Sequence, residues 1–68
     1  MNASEIYETW LNGNRKDARR AIESAPYQAP VILDILEIAR GRVGTTGPGG
    51  YLELRHWFDR WPDWSVDA

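Results

Sequence analysis

The sequence predicts an all-α protein: a compact four-helix small domain with a glycine-rich loop before its last helix. Four segments carry apolar residues at helical spacing, and capping or helix-breaking residues bound them. The one strand-like segment, 51–55, would have no partner strand. The expected helices cover about 3–12, 15–25, 30–41 and 51–61. A chain of 68 residues is long enough for one domain.

The first two helices are expected to form a tight hairpin. In the first helix, apolar residues occur at i, i+3, i+4, i+7 and i+8: Ala3, Ile6, Tyr7, Trp10 and Leu11. Asn2 and Glu5 have the spacing of a capping box at its start. Gly13 can adopt the positive φ that often follows a helix, and Asn14 can cap the second helix. The second helix repeats the spacing with smaller residues: Ala18, Ala21, Ile22 and Ala25.

The third helix is apolar around almost its whole circumference. Pro26 ends the helix before it, and Pro30 suits its first turn, where the missing N–H would have no intrahelical partner. Only a narrow polar stripe interrupts the apolar surface, at Asp34, Glu37 and Arg40. We therefore expect this helix to be central, either covered by the other helices or shared with a second copy in a homodimer.

The last part of the chain combines a loop, a helix and a tail. Segment 44–50 has four glycines and one proline but no apolar side chain to anchor it, which predicts a flexible loop over 43–50. Apolar residues then recur at helical spacing: Leu54, Trp57, Phe58 and Trp61. Pro62 ends this fourth helix, and residues 62–68 form a tryptophan-rich tail.

The composition excludes several classes of protein. The absence of cysteine excludes disulfides, thiolate metal sites and thiol catalysis, and it favours a cytoplasmic protein. The only histidine, His56, has Glu53 and Asp59 at helical spacing, but a single histidine favours a solvated surface over a metal site. The sequence shows no catalytic constellation, cofactor motif or membrane-length apolar run. We therefore expect no enzyme, cofactor, metal or membrane association.

The strongest functional signal is segment 56–64, which contains three of the four tryptophans and the only phenylalanine. Trp61 and Phe58 share a helix face and are expected in the core. A chain of this size can hardly bury four indoles, so we expect Trp57 and Trp64 to be partly exposed. The sequence thus predicts tryptophan anchors with a polar rim: Trp57, Trp61, Trp64, Arg55, Asp59 and Arg60. The alternative is a tail that folds back, so that Trp64 covers the bundle.

These features favour a small non-enzymatic protein-interaction module, a regulator, adaptor or inhibitor that docks on a larger protein. Its size suits an accessory protein of a phage or plasmid that acts on a host machine. The alternative is nucleic-acid binding through a basic cluster in the second helix: Arg15, Lys16, Arg19 and Arg20. Against it, Asp17 can pair with Arg20 and Arg19 with Glu23, and the net charge is −2.

Overall fold

The computed structural model describes residues 1–60. These residues form four α-helices, and none of them lies in a strand, which confirms the all-α prediction. The helices are α1 (Ala3–Leu11), α2 (Arg15–Glu23), α3 (Gln28–Arg42) and α4 (Tyr51–Asp59). Trp61 and the tail, residues 62–68, lie outside the described residues. Within residues 1–60, no helix is both long enough and apolar enough to span a membrane.

The start of α1 has the predicted capping box. The Asn2 side chain accepts a hydrogen bond from the Glu5 N–H at 2.9 Å, and the Glu5 carboxylate accepts one from the Asn2 N–H at 3.1 Å. These two bonds satisfy main-chain donors that have no intrahelical partner. Gly13 has a φ of +92° in the turn to α2, as expected. Asn14 precedes α2, but its side chain makes no capping hydrogen bond there.

The boundary between α2 and α3 differs from the predicted one by two residues on each side. α2 ends at Glu23, where the Gln28 side chain donates a hydrogen bond to the Glu23 carbonyl at 3.2 Å. α3 begins at Gln28, so Pro30 is its third residue. A proline is tolerated there because none of the first-turn N–H groups has an intrahelical acceptor. α3 can therefore begin two residues earlier than predicted and still contain Pro30 in its first turn.

The core lies where α3 packs against the other three helices, which confirms the central position predicted for it. All four helices contribute buried residues: Ile6, Tyr7, Trp10, Ala18, Ile22, Ile35, Leu36, Ala39, Leu54 and Trp57. α1 supplies two large aromatic rings, whereas α2 supplies a single large side chain, Ile22. The coverage of α3 is incomplete, since Leu33 is 62% exposed. A homodimer that covers this side of α3 remains a prediction.

The glycine-rich segment before α4 is anchored from outside. Gly49 is buried with a φ of +77°; its carbonyl accepts a hydrogen bond from the Tyr7 hydroxyl, and its N–H donates to the Glu53 carboxylate at 2.6 Å. The Tyr51 N–H donates to the Gly44 carbonyl at 2.9 Å. The segment has no apolar side chain of its own, but hydrogen bonds to a side chain of α1 and to main-chain and side-chain groups of α4 hold it in place. The flexibility of this loop stays a prediction.

Candidate functional site

Trp57, one of the three tryptophans expected to bind a partner, is a core residue. It is 5% exposed, and its ring packs edge-on against Trp10 at a centroid distance of 6.1 Å and against Phe58 at 5.0 Å. The expectation that Trp57 is partly exposed is therefore wrong, because the Trp10 side chain of α1 covers it. Phe58 packs on the core and is partly buried. Trp61 and Trp64 lie outside the described residues.

The polar residues expected around the tryptophans are exposed on α4. Arg55 and Asp59 lie one helical turn apart, and Leu52, which is 51% exposed, precedes them at i, i+3 and i+7 spacing. We call these three residues the outer face of α4. The Arg55 guanidinium donates a hydrogen bond to the Tyr51 hydroxyl at 3.3 Å, which raises the pKa of Arg55 above its ordinary value. Leu52 was not among the predicted site residues, although helical spacing alone places it beside Arg55 and Asp59.

The basic cluster of α2 is partly neutralised by its own helix. Arg19 lies 3.5 Å from Glu23, and only 13% of its side chain is exposed. Arg20 lies 3.9 Å from Asp17 on the solvent side. These are the two ion pairs that the sequence analysis offered as the ordinary explanation of the cluster. An exposed pair such as that of Arg20 and Asp17 contributes about 0 to 1 kcal/mol, so it neutralises charge more than it stabilises the fold.

Arg15, the first residue of the basic cluster, is held by an aromatic ring. Its guanidinium carbon lies 4.4 Å from the centroid of the Trp10 ring, a cation–π arrangement that links the start of α2 to the end of α1. Stacking of this kind orients the guanidinium plane and leaves its N–H edge available to an acceptor. Lys16, the next residue, is exposed. The four cations of the cluster therefore have different environments and do not form one uniform basic surface.

A cavity of about 230 Å³ lies beside Arg15, between the end of α1, the start of α2 and one side of α4. Its lining residues come from all three helices: Trp10, Arg15, Glu53, His56, Trp57 and Arg60. The two tryptophans are buried, whereas the four charged or ionisable residues are exposed, so indoles form the floor and polar groups the rim. The structure thus brings Arg15 together with Arg60, which the sequence analysis had assigned to two different surfaces.

The chemistry of this cavity is that of an array of hydrogen-bond donors. The rim carries two guanidinium groups and one imidazole but a single carboxylate, that of Glu53, which already accepts the hydrogen bond from the Gly49 N–H. Two positive charges and one negative charge leave the rim with a net positive charge without counting His56. The Trp10 indole N–H is buried and has no hydrogen-bond acceptor within residues 1–60. Such an N–H normally has an acceptor when it is buried.

In the part of the chain that the structure describes, no three His, Cys, Asp or Glu side chains are grouped so that they could hold a metal ion. Comparisons of the chain with protein-family models, with curated proteins and with solved structures found no match. The functional interpretation therefore rests on the outer face of α4 and on the cavity.

Proposed function

We propose that this protein is a non-enzymatic protein-binding module that docks on a larger protein through the outer face of α4 and the tryptophans that follow it. The observation that carries the proposal is the composition of that face. An exposed leucine, Leu52, lies beside an arginine and an aspartate, and Trp61 and Trp64 follow within five residues of Asp59 in the sequence. Arginine and tryptophan are enriched among the residues that dominate binding energy at interfaces.

The burial of Trp57 changes how this surface works. Trp57 is buried and packs against Trp10, so it positions α4 and does not enter a pocket of the partner. Leu52 takes its place as the apolar residue that α4 itself offers. Arg55 and Asp59 carry opposite charges, which favours a partner surface with the complementary pair and sets the orientation of docking more than its affinity.

Nucleic-acid binding through α2 receives less support. The ion pairs of Arg19 and Arg20 leave Lys16 and the stacked Arg15 as the remaining cations of the cluster. Sequence-independent binding to a phosphate backbone depends on several such contacts, and its affinity falls steeply with salt.

Site-specific photocrosslinking distinguishes the two functions. A benzoyl-phenylalanine is introduced in place of Arg55, of Lys16 or of Asp34, which is an exposed residue of α3, and the tagged chain is irradiated in lysate of the source organism. Docking predicts that the Arg55 position crosslinks to one protein that nuclease treatment does not remove, and that the Asp34 position does not. Nuclease-sensitive products from the Lys16 position, with none from Arg55, would replace protein docking with nucleic-acid binding.

The charges of the outer face provide a quantitative test on the captured partner. Reversing both charges with Arg55→Glu and Asp59→Arg keeps the net charge and is expected to weaken binding at least tenfold, or about 1.4 kcal/mol. The matched control reverses Asp34 and Arg40, two exposed residues of α3, and should leave the affinity within twofold. Equal losses in both double variants would show that the outer face of α4 is not the docking surface.

A further inference from the structure

We infer that the cavity between α1, α2 and α4 is a binding site for a phosphate group, either free phosphate or the end of a small phosphomonoester. Its charged or ionisable donors are Arg15 from the start of α2, His56 from α4, and Arg60, the residue that follows α4. This inference is independent of protein docking, because the cavity lies on a different side of α4 from the outer face.

The two surfaces use different residues of adjoining sides of α4. Glu53, His56 and Arg60 follow i, i+3 and i+7 spacing and line the cavity, whereas each residue of the outer face precedes one of them by one position, which is a rotation of about 100° around the helix. Trp57, at i+4 from Glu53, forms part of the cavity floor and fixes this side of α4 against α1. The polar rim of the cavity is therefore mounted on helices that the core already holds in place, which is a favourable arrangement for a binding site.

The donor set fits a phosphate better than a carboxylate. A phosphomonoester carries a charge of about −1.5 to −2 at neutral pH and presents three strong acceptor oxygens, so it can use donors from several directions. Guanidinium groups bind such oxygens in bidentate fashion. Arg15 is pre-oriented by its stacking on Trp10, which lowers the conformational entropy lost when it binds.

The size of the cavity limits the ligand. A volume of about 230 Å³ is many times the roughly 10 to 15 Å³ that a single bound water needs. Cavities that enclose drug-sized ligands start at about 300 Å³. The site therefore holds a phosphate with a few waters, and any larger group attached to it must extend out past the rim. Glu53 disfavours a second anionic group beside the first, which directs the site towards a single phosphate.

Titration of the ¹⁵N-labelled full chain tests this inference through the tryptophan indole N–H signals, with Trp10 assigned from a Trp10→Phe variant. Inorganic phosphate, phenyl phosphate and dimethyl phosphate are added at constant ionic strength. We expect the Trp10 signal to shift and saturate with phosphate and phenyl phosphate at millimolar concentrations, and at least tenfold more weakly with the diester, which has fewer charged oxygens. Tighter binding of phenyl phosphate would identify a phosphomonoester as the ligand, and equal binding would identify free phosphate.

Three variants locate the site. Arg15→Gln and Arg60→Gln should each raise the dissociation constant at least fivefold, and Arg55→Gln, which removes an exposed arginine of α4 outside the cavity, should leave it within a factor of two. The dispersion of the amide spectrum shows that each variant is folded. The inference is overturned if the Trp10 signal does not saturate up to about 50 mM, a limit that corresponds to about 2 kcal/mol of binding. It is also overturned if dimethyl phosphate binds equally well, or if Arg55→Gln weakens binding as much as the cavity variants. None of these results bears on the crosslinks of the outer face.

Discussion

Replacing Tyr7 with phenylalanine tests how the glycine-rich segment is held to the bundle. The Tyr7 hydroxyl, on a fully buried ring, donates to the carbonyl of buried Gly49, which lies 42 residues away in the sequence. Tyr7→Phe keeps the ring and its packing but leaves that carbonyl without its donor. A buried acceptor that loses its partner costs about 1 to 3 kcal/mol. A domain of this size has a total stability of only about 3 to 10 kcal/mol, so the loss is a large share.

The assay is urea and thermal unfolding followed by circular dichroism. For a domain of this size, 1 kcal/mol shifts the midpoint by about 4 to 8 °C, so Tyr7→Phe should lower Tm by about 4 to 24 °C. The matched control is Tyr51→Phe, since the Tyr51 hydroxyl accepts its hydrogen bond from Arg55 at the surface, and it should cost less than about 0.5 kcal/mol. A Tyr7→Phe variant as stable as Tyr51→Phe would refute the view that this hydrogen bond anchors the loop.

The same hydroxyl makes the stability of the folded protein depend on pH in the alkaline range. Burial raises the pKa of Tyr7 above its ordinary value, while the nearby Arg42 guanidinium lowers it in part. The folded chain therefore holds the phenolic proton more tightly than the unfolded chain does. This contribution to stability is complete below the unfolded pKa of about 10 and is lost as the pH rises through the folded pKa. The stability advantage of the natural chain over Tyr7→Phe should narrow between about pH 9 and 11; an unchanged difference would contradict this account.

Two further pairs of substitutions test the backbone. Gly49→Ala should destabilise the protein by about 2 kcal/mol, because its φ is positive and a Cβ would meet a side-chain carbon of Leu11 at 2.7 Å. Gly41→Ala, in open space within α3, should raise Tm instead by removing a helical glycine, and a loss of Tm there would contradict the assigned helix. Asn2→Ala should cost about 1 kcal/mol by removing the capping box, whereas Asn14→Ala should cost less, because Asn14 makes no capping hydrogen bond. Equal unfolding midpoints for the two asparagine variants would show that the cap of α1 adds nothing.

Helix positions were predictable because they depend on local chemistry. The capping box of Asn2 and Glu5 and the positive φ of Gly13 need only residues within one or two turns. Trp57 was mispredicted because its burial depends on Trp10, which is 47 residues away in the sequence. The expectation of a partly exposed tryptophan is wrong for Trp57, whereas Trp64 lies outside the described residues. Within residues 1–60, Tyr27 is an exposed aromatic residue, at 76%, just before α3.

The cavity could not be predicted for the same reason. Arg15 and Arg60 are far apart in the sequence, and the chemistry of each alone is that of an ordinary surface cation. They become one site because the Arg15 guanidinium stacks on Trp10 while Trp57 holds α4 against the same ring. A periodic pattern identifies which residues share a face of one helix, but it does not identify which faces of different helices meet.

The relation between α1 and α4 explains why two aromatic residues control so much of this small fold. No Cα atom of α1 lies within 8 Å of a Cα atom of α4, so the two helices are connected by long side chains and not by close backbone packing. Tyr7 contacts Gly49, which lies just before the start of α4. Trp10, one turn further along α1, contacts Trp57 near the end of α4. These two contacts hold α4 against α1, while α3 packs against α4 in the core. It follows that Tyr7→Phe, although remote from the cavity, should broaden the Trp10 and Trp57 indole signals, because α4 would then be held against α1 at one end only.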